Sequence, residues 1–85
     1  MAWIITKDII NNGENEGEWN SIKEMTEVQC KKICKYKFKL LDDDFEVYFE
    51  GLSSDNSSFF ALDYFGSMYG CTMIEYYENG KWVAL

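Results

Sequence analysis

The fold is decided by residues 36–51, Tyr-Lys-Phe-Lys-Leu-Leu-Asp-Asp-Asp-Phe-Glu-Val-Tyr-Phe-Glu-Gly. Apolar and polar residues alternate on both sides of three consecutive aspartates, which predicts a β-hairpin with an acidic tip. The tip is either the two-residue loop Asp43–Asp44 or the four-residue loop Asp42–Phe45. Both loops predict the same cross-strand pairs: Leu40 opposite Val47, Phe38 opposite Phe49, and Lys37 opposite Glu50.

Side-chain alternation decides this register. A three-residue loop would place Lys39 beside Val47 on the buried face, and a slip of one residue moves the whole apolar set to the other side. A four-residue loop usually ends in a left-handed residue, for which glycine is the easy choice. Phe45 occupies that position here, so we expect either that packing anchors Phe45 or that the turn has two residues.

A second hairpin is predicted over residues 71–85. Asn79-Gly80 between alternating runs is a strong hairpin signal, because both turn positions need a positive φ. The two-residue loop predicts Glu78 opposite Lys81, Tyr77 opposite Trp82, Tyr76 opposite Val83, and Ile74 opposite Leu85. Ile74, Tyr76, Val83 and Leu85 then face the core. The Tyr77–Trp82 pair lies on the other face, either covered by the first strand or a loop, or exposed as an anchor for a partner.

The remaining segments complete an α+β domain of residues 1–85. Residues 2–7 predict an interior strand, and residues 11–21 predict a loop anchored by Trp19. A capping box that starts at Thr26 predicts a short helix over residues 27–34. Residues 59–65 predict a second short helix. The two helices pack on one face of an antiparallel sheet of four to five strands. The predicted buried side chains of the helices are Val28, Cys30, Ile33 and Cys34, and then Phe59, Leu62 and Phe65.

Charge is distributed unevenly along the chain. The net charge is −7, six of the eight lysines fall between Lys23 and Lys39, and residues 40–80 hold nine acidic residues and no basic one. Such a segment repels nucleic acid and attracts basic surfaces. Because strand pairing turns polar residues outward, we expect these carboxylates to form one negative surface.

Catalytic motifs are not evident in this sequence. It has no histidine, so acid–base chemistry falls to carboxylates, tyrosines or cysteines. We predict no enzyme activity, no cofactor and no metal, although Asp42–Asp44 have oxygens that could bind a cation. The alternative is a ligand binder or enzyme that uses Cys71 with Asp63 or Tyr64. Three cysteines and no visible signal peptide or long apolar run predict a cytoplasmic protein with reduced thiols.

Three segments carry a resemblance to known proteins. Residues 40–51, the run Leu62-Asp-Tyr-Phe-Gly66 and the strand beginning Gly70-Cys-Thr resemble a group of short bacterial and phage-borne proteins of no assigned activity. That group has a Leu-Asp-Asp-Asp-Gly-Glu-Val-Tyr-Tyr-Glu-Gly hairpin, a Leu-Asp-Asp-Phe-Gly segment and a Gly-Cys-Thr strand. This chain departs from it at Phe45 and Tyr64. The resemblance implies a cytosolic protein of a mobile element.

These observations predict a protein-interaction module without catalytic activity. It would dock an acidic surface on a basic nucleic-acid-binding protein, as DNA mimics and anti-CRISPR inhibitors do, without contacting nucleic acid or membrane itself. The competing interpretations are that the acidic charge only confers solubility, or that the terminal hairpin pairs with a second copy. The predicted partner-binding residues are Asp42, Asp43, Asp44, Glu46, Tyr48, Glu50, Tyr77 and Trp82.

Overall fold

The computed structural model describes residues 2–13, Val28 and residues 32–85. Its centre is a five-stranded antiparallel sheet with the strand order β1-β3-β2-β4-β5. One short helix, α1 (Phe60–Tyr64), is followed by a 3₁₀ turn (Gly66–Tyr69). The predicted α+β fold is therefore confirmed. The strands are β1 (Trp3–Asp8), β2 (Tyr36–Leu41), β3 (Val47–Ser53), β4 (Met73–Glu78) and β5 (Lys81–Ala84).

The core lies between one face of the sheet and α1 with its following turn. Aromatic rings fill much of it: the Phe49 and Phe65 rings meet edge to face at 4.7 Å, and Trp3 and Tyr69 also pack on Phe65. Large rings are an efficient filling for the thin core of a short chain. The buried members of this cluster are Trp3, Ile5, Phe38, Leu40, Phe49, Ala61, Leu62, Phe65, Cys71, Ile74 and Tyr76.

The first hairpin buries Phe38, Leu40 and Phe49 as predicted, but Val47 is only half-buried and the register differs from the predicted one. Leu40 lies opposite Phe49, and Phe38 lies opposite Gly51. The loop has three residues, because the Phe45 N–H donates to the Asp42 carbonyl and the Asp42 N–H donates to the Glu46 carbonyl, each at 3.1 Å. The predicted even-numbered loop is therefore wrong.

A β-bulge explains why the buried face survives this change of loop. Leu41 pairs with Val47, whereas Leu40 pairs with Phe49, so Tyr48 is an extra residue on β3. One extra residue shifts the alternation by one position. The shift cancels the effect of the odd loop and returns Leu40 and Phe49 to the core.

The second hairpin has the predicted register, with Glu78 opposite Lys81, Tyr77 opposite Trp82 and Tyr76 opposite Val83. Its outer strand is less buried than predicted, since Val83 and Leu85 are 36% and 46% exposed. β1 was predicted to be interior but lies at the other edge of the sheet.

The helix predictions are partly corrected. α1 covers residues 60–64 within the predicted 59–65, Leu62 and Phe65 are buried as predicted, and Phe59 is exposed. Of the predicted helix over 27–34, Val28, Lys32 and Ile33 are helical, Cys34 is buried as predicted but is not helical, and residues 27 and 29–31 lie outside the described residues. The predicted burial of Val28 and Ile33 is wrong, because both are exposed. The predictions for Trp19, Thr26 and Cys30 also lie outside the described residues. Within the part of the chain that the structure describes, no helix has the length and apolar character needed to cross a membrane.

Candidate functional site

The predicted partner-binding residues fall in two groups on the structure. The acidic tip, residues 42–46, ends the β2–β3 hairpin and is followed by Tyr48. The second group lies on the sheet face opposite the core. Tyr77 is four residues along β4 from Met73, which pairs with Leu41 beside the tip; this places Tyr77 roughly 13 Å from the tip along the strand. The tip group contains Asp42, Asp43, Asp44, Glu46 and Tyr48, and the sheet-face group contains Glu50, Tyr77 and Trp82.

Asp42 holds the tip together. Its Oδ1 accepts hydrogen bonds from the backbone N–H groups of Asp44 at 2.9 Å and Glu46 at 3.0 Å, and its Oδ2 accepts one from the Tyr48 hydroxyl at 2.9 Å. These donors, the Glu46 N–H foremost, favour the ionised form and lower the pKa of Asp42. The hydrogen bond from the Tyr48 hydroxyl to the Asp42 carboxylate raises the pKa of Tyr48. Asp42 and Tyr48 therefore brace the turn from within.

A second set of hydrogen bonds attaches the tip to the segment before β4. The Thr72 hydroxyl donates to Asp43 Oδ1 at 2.6 Å, and the Thr72 backbone N–H donates to the Leu41 carbonyl at 2.9 Å. The tip is thus tied to its neighbours at Asp42 and at Asp43. Such bracing limits the number of conformations that a partner would have to order on binding.

The outer side of the tip is exposed and anionic. Asp43, Asp44 and Glu46 are exposed, and Phe45 between them is 68% exposed. Among the residues that the structure describes, Lys39 forms an ion pair with Glu75, and no carboxylate of the tip forms an ion pair. The tip therefore combines unneutralised carboxylates with an accessible aromatic ring.

Phe45 is the residue of this site that the sequence analysis did not assign to partner binding. Its φ is +63°, in the left-handed region, although it is neither glycine nor asparagine. A bulky side chain there costs about 1–2 kcal/mol. The expectation that packing anchors the ring is wrong, because the ring is mostly exposed. The signal for it was present in the sequence, where a phenylalanine stands at a turn position that favours glycine.

The sheet-face group is surrounded by lysines. Lys7 and Glu50 are neighbours across β1 and β3, Lys39 lies opposite Glu50 on β2, and Glu75 lies opposite Lys39 on β4. The Lys39 Nζ lies 3.4 Å from a carboxylate oxygen of Glu75. Charges of opposite sign therefore alternate across the sheet. The expectation of one continuous negative surface is corrected, since Glu50 and Glu75 belong to this mixed row.

The aromatic pair on this face is partly occupied by lysines of the same chain. The Tyr77 and Trp82 rings meet edge to face at 5.2 Å. The Lys39 Nζ lies 4.5 Å from the Trp82 ring centroid, and the Lys37 Nζ lies 5.8 Å from that of Tyr77. Cation–π contacts of this kind use the ring faces that a ligand would need. An open cleft of about 430 Å³ beside them is lined by Thr6, Lys37, Phe38, Glu50, Gly51, Leu52 and Trp82.

Cys71 does not have the surroundings of an activated nucleophile. Burial, with a smaller contribution from the Asp42 charge, raises its pKa to about 11. Reactive cysteines have lowered pKa values and partial exposure. Asp63 and Tyr64, the side chains paired with Cys71 in the alternative hypothesis, are exposed on α1. The thiol is therefore protonated at neutral pH, and this arrangement favours a packing role.

No family model, curated protein or solved structure matches this chain. The geometry of the tip and the sheet is therefore the basis for assigning a function.

Proposed function

We propose that this protein is a non-catalytic interaction module whose acidic tip docks on a basic surface of another protein. One observation carries the proposal: Asp43, Asp44, Glu46 and the Phe45 ring are exposed together on a turn that Asp42 holds in shape. The mixed charges of the sheet face are not part of this site. The proposed binding site is thus smaller than the acidic surface that the sequence predicts.

The two kinds of side chain at the tip have different roles in docking. The carboxylates steer the encounter with a positively charged partner and set its orientation. The Phe45 ring supplies apolar contact area, because buried aromatic rings dominate the free energy of many interfaces. The strain at Phe45 adds to the argument, since strained backbone concentrates at functional sites.

The partner class follows from this combination. Grooves that bind single-stranded nucleic acid combine basic residues along the backbone with aromatic platforms on which bases stack. Carboxylates that replace phosphates and a ring that replaces a base would fit such a groove. We therefore propose a basic nucleic-acid-binding protein as the partner, with inhibition by competition as the consequence. The resemblance to phage-borne proteins is consistent with an inhibitor of this kind.

The test is displacement of nucleic acid. Basic proteins from the same cell are fractionated on heparin and loaded with a fluorescent single-stranded oligonucleotide, and release of the oligonucleotide by this protein is measured by anisotropy. We expect release at low salt that weakens as salt is raised, because screening reduces the attraction.

Matched single-charge variants sharpen the test. Asp44→Asn removes one charge at the tip, whereas Asp63→Asn removes one exposed charge on α1. We expect the first to weaken displacement several-fold and the second to match the wild type. If no fraction releases its oligonucleotide at low salt, or if both variants behave alike, the proposal is wrong. Equal behaviour would favour a solubilising role for the acidic charge.

A further inference from the structure

The two edges of the sheet differ in how they are protected against pairing. β1 carries a register shift between Ile5 and Lys7, and its residues Trp3, Ile4 and Ile5 are buried. β5 pairs with β4 without any shift, and all of its residues are exposed. Natural edge strands are usually shielded by charges, prolines, bulges or covering segments. Among the described residues, the charge on Lys81 is the only one of these protective features on β5.

The exposed residues of β5 are also apolar. Trp82 and Val83 are each 36% exposed, and Leu85, just beyond the strand, is 46% exposed. Trp82 and Ala84 lie on the face opposite the core, whereas Val83 lies opposite the buried Tyr76 on the core face. The edge therefore presents apolar side chains on both faces of the sheet.

The backbone groups of β5 that point away from the sheet are those of Trp82 and Ala84. The Leu85 N–H donates to the Ile74 carbonyl of β4 at 3.1 Å. Successive residues of an antiparallel strand point their N–H and C=O groups in alternate directions. Val83 therefore faces β4 like Leu85, and Trp82 and Ala84 offer a donor and an acceptor each at the open edge.

We propose that β5 pairs antiparallel with β5 of a second copy of this chain, about a two-fold axis that passes at Val83. In this register Trp82 exchanges both backbone hydrogen bonds with Ala84 of the second copy, and Ala84 does so with Trp82. The two sheets then continue as one, with both cores on the same side.

Self-complementarity is the reason that the occupant is a second copy. A two-fold interface presents the same patch twice, so each residue must fit its opposite number in reversed order. Here the large Trp82 ring meets the small Ala84 side chain on one face, and the two Val83 side chains meet on the other. Lys81 comes opposite Leu85, so no like charges face each other across the new pair.

Because of the overall charge, we expect this association to depend on salt in the opposite way to docking of the acidic tip on a basic partner. Each chain carries a net charge of −7, and the two copies repel at long range. Added salt screens this repulsion, so the dimer becomes more stable as salt is raised. Docking of the acidic tip on a basic partner becomes weaker under the same change, and the two interactions are thereby distinguished.

A disulfide test reads the proposed register. Val83 and its symmetry mate form a non-hydrogen-bonded pair with Cα atoms about 4.5 Å apart, which is within the span of a disulfide. Two Lys81 residues would lie roughly 14 Å apart. Under mild oxidation we expect Val83→Cys to give a covalent dimer on non-reducing gels, and Lys81→Cys and the wild type to remain uncrosslinked. Equal crosslinking of the two variants would overturn the register.

Sedimentation equilibrium tests the pairing itself. Ala84→Pro removes an outward N–H and leaves the bonds to β4 in place, since proline is tolerated at an edge in this orientation. Ala84→Ser is the matched control. We expect wild type and Ala84→Ser to form dimers, and Ala84→Pro to raise the dimer dissociation constant at least tenfold with an unchanged circular dichroism spectrum. A wild type that stays monomeric up to millimolar concentration, an association unaffected by Ala84→Pro, or assemblies larger than a dimer would overturn the proposal. If Ala84→Pro unfolds, the Val83→Cys result decides.

Discussion

Substitution of Phe45 separates the stability of the tip from its proposed role in binding. Phe45 is held at φ +63° and its ring is 68% exposed. Both Phe45→Gly and Phe45→Ala remove the ring, so they lose the same small packing contribution. They differ in backbone strain, because alanine keeps the penalty of the left-handed conformation and glycine does not.

The expected difference follows from two opposing contributions. Relief of the left-handed conformation favours glycine over alanine by about 1–2 kcal/mol. The greater freedom of glycine in the unfolded chain opposes this by about 0.5–1 kcal/mol. Phe45→Gly should therefore be more stable than Phe45→Ala by about 0.5–1 kcal/mol, which reverses the usual order of the two residues in regular structure.

Urea unfolding of both variants, followed by circular dichroism, measures this difference. In thermal unfolding it corresponds to roughly 2–8 °C in Tm for a domain of this size. The slope of the free energy against urea should be the same in both. A Phe45→Ala variant as stable as Phe45→Gly would show that residue 45 is not left-handed in solution, and would refute the three-residue loop.

The same pair of variants reports on function. If the Phe45 ring is an anchor, both variants displace oligonucleotide more weakly than the wild type and to the same degree, whatever their stabilities. A displacement activity that follows stability instead of the presence of the ring would show that Phe45 has only a structural effect.

Two further predictions concern the hairpin. Gly51→Ala should destabilise the protein by about 3 kcal/mol, because its Cβ would lie 2.5 Å from the Phe38 ring and closer still to the Ile4 carbonyl. Urea unfolding measures this loss of stability. Adding Phe38→Leu to the Gly51→Ala variant should restore part of it. The pKa of Asp42 is lowered in the fold, so its contribution is present above its usual value of 3.8 and is lost as pH falls through the folded pKa. The free energy of unfolding should therefore decrease more for the wild type than for Asp42→Asn when the pH is lowered from 7 to 3. Equal decreases would show that the Asp42 carboxylate does not stabilise the turn.

The two hairpins show what local sequence determines and what it does not. Asn79 and Gly80 have φ values of +52° and +82°, so their residue types alone set a two-residue turn and a regular register. In the first hairpin the turn depends on the Asp42 side chain and is compensated by the bulge at Tyr48. Alternation predicts which residues face the core, but two irregularities that cancel leave the alternation unchanged. The register could not be read from it.

Burial at the sheet edges was also beyond the reach of local patterns. Val83 and Leu85 have the alternation of core residues and are exposed, because β5 is the last strand of the sheet. Trp3, Ile4 and Ile5 suggested an interior strand and are fully buried at the opposite edge. Apolar character predicts burial only after the strand order is known, and the order depends on contacts between residues far apart in sequence.

The candidate site depends on the same distinction between a run of sequence and a surface. Nine acidic residues follow one another without a lysine from residue 40 to residue 80, yet β2 lies between β3 and β4 and places Lys39 between Glu50 and Glu75. Strand order thus neutralises the carboxylates of the sheet with lysines from an earlier segment. Among the described residues, no strand beside the turn supplies a cation. The tip carboxylates therefore remain available to a partner. We expect a basic partner to contact Asp43, Asp44 and Glu46 but not Glu50.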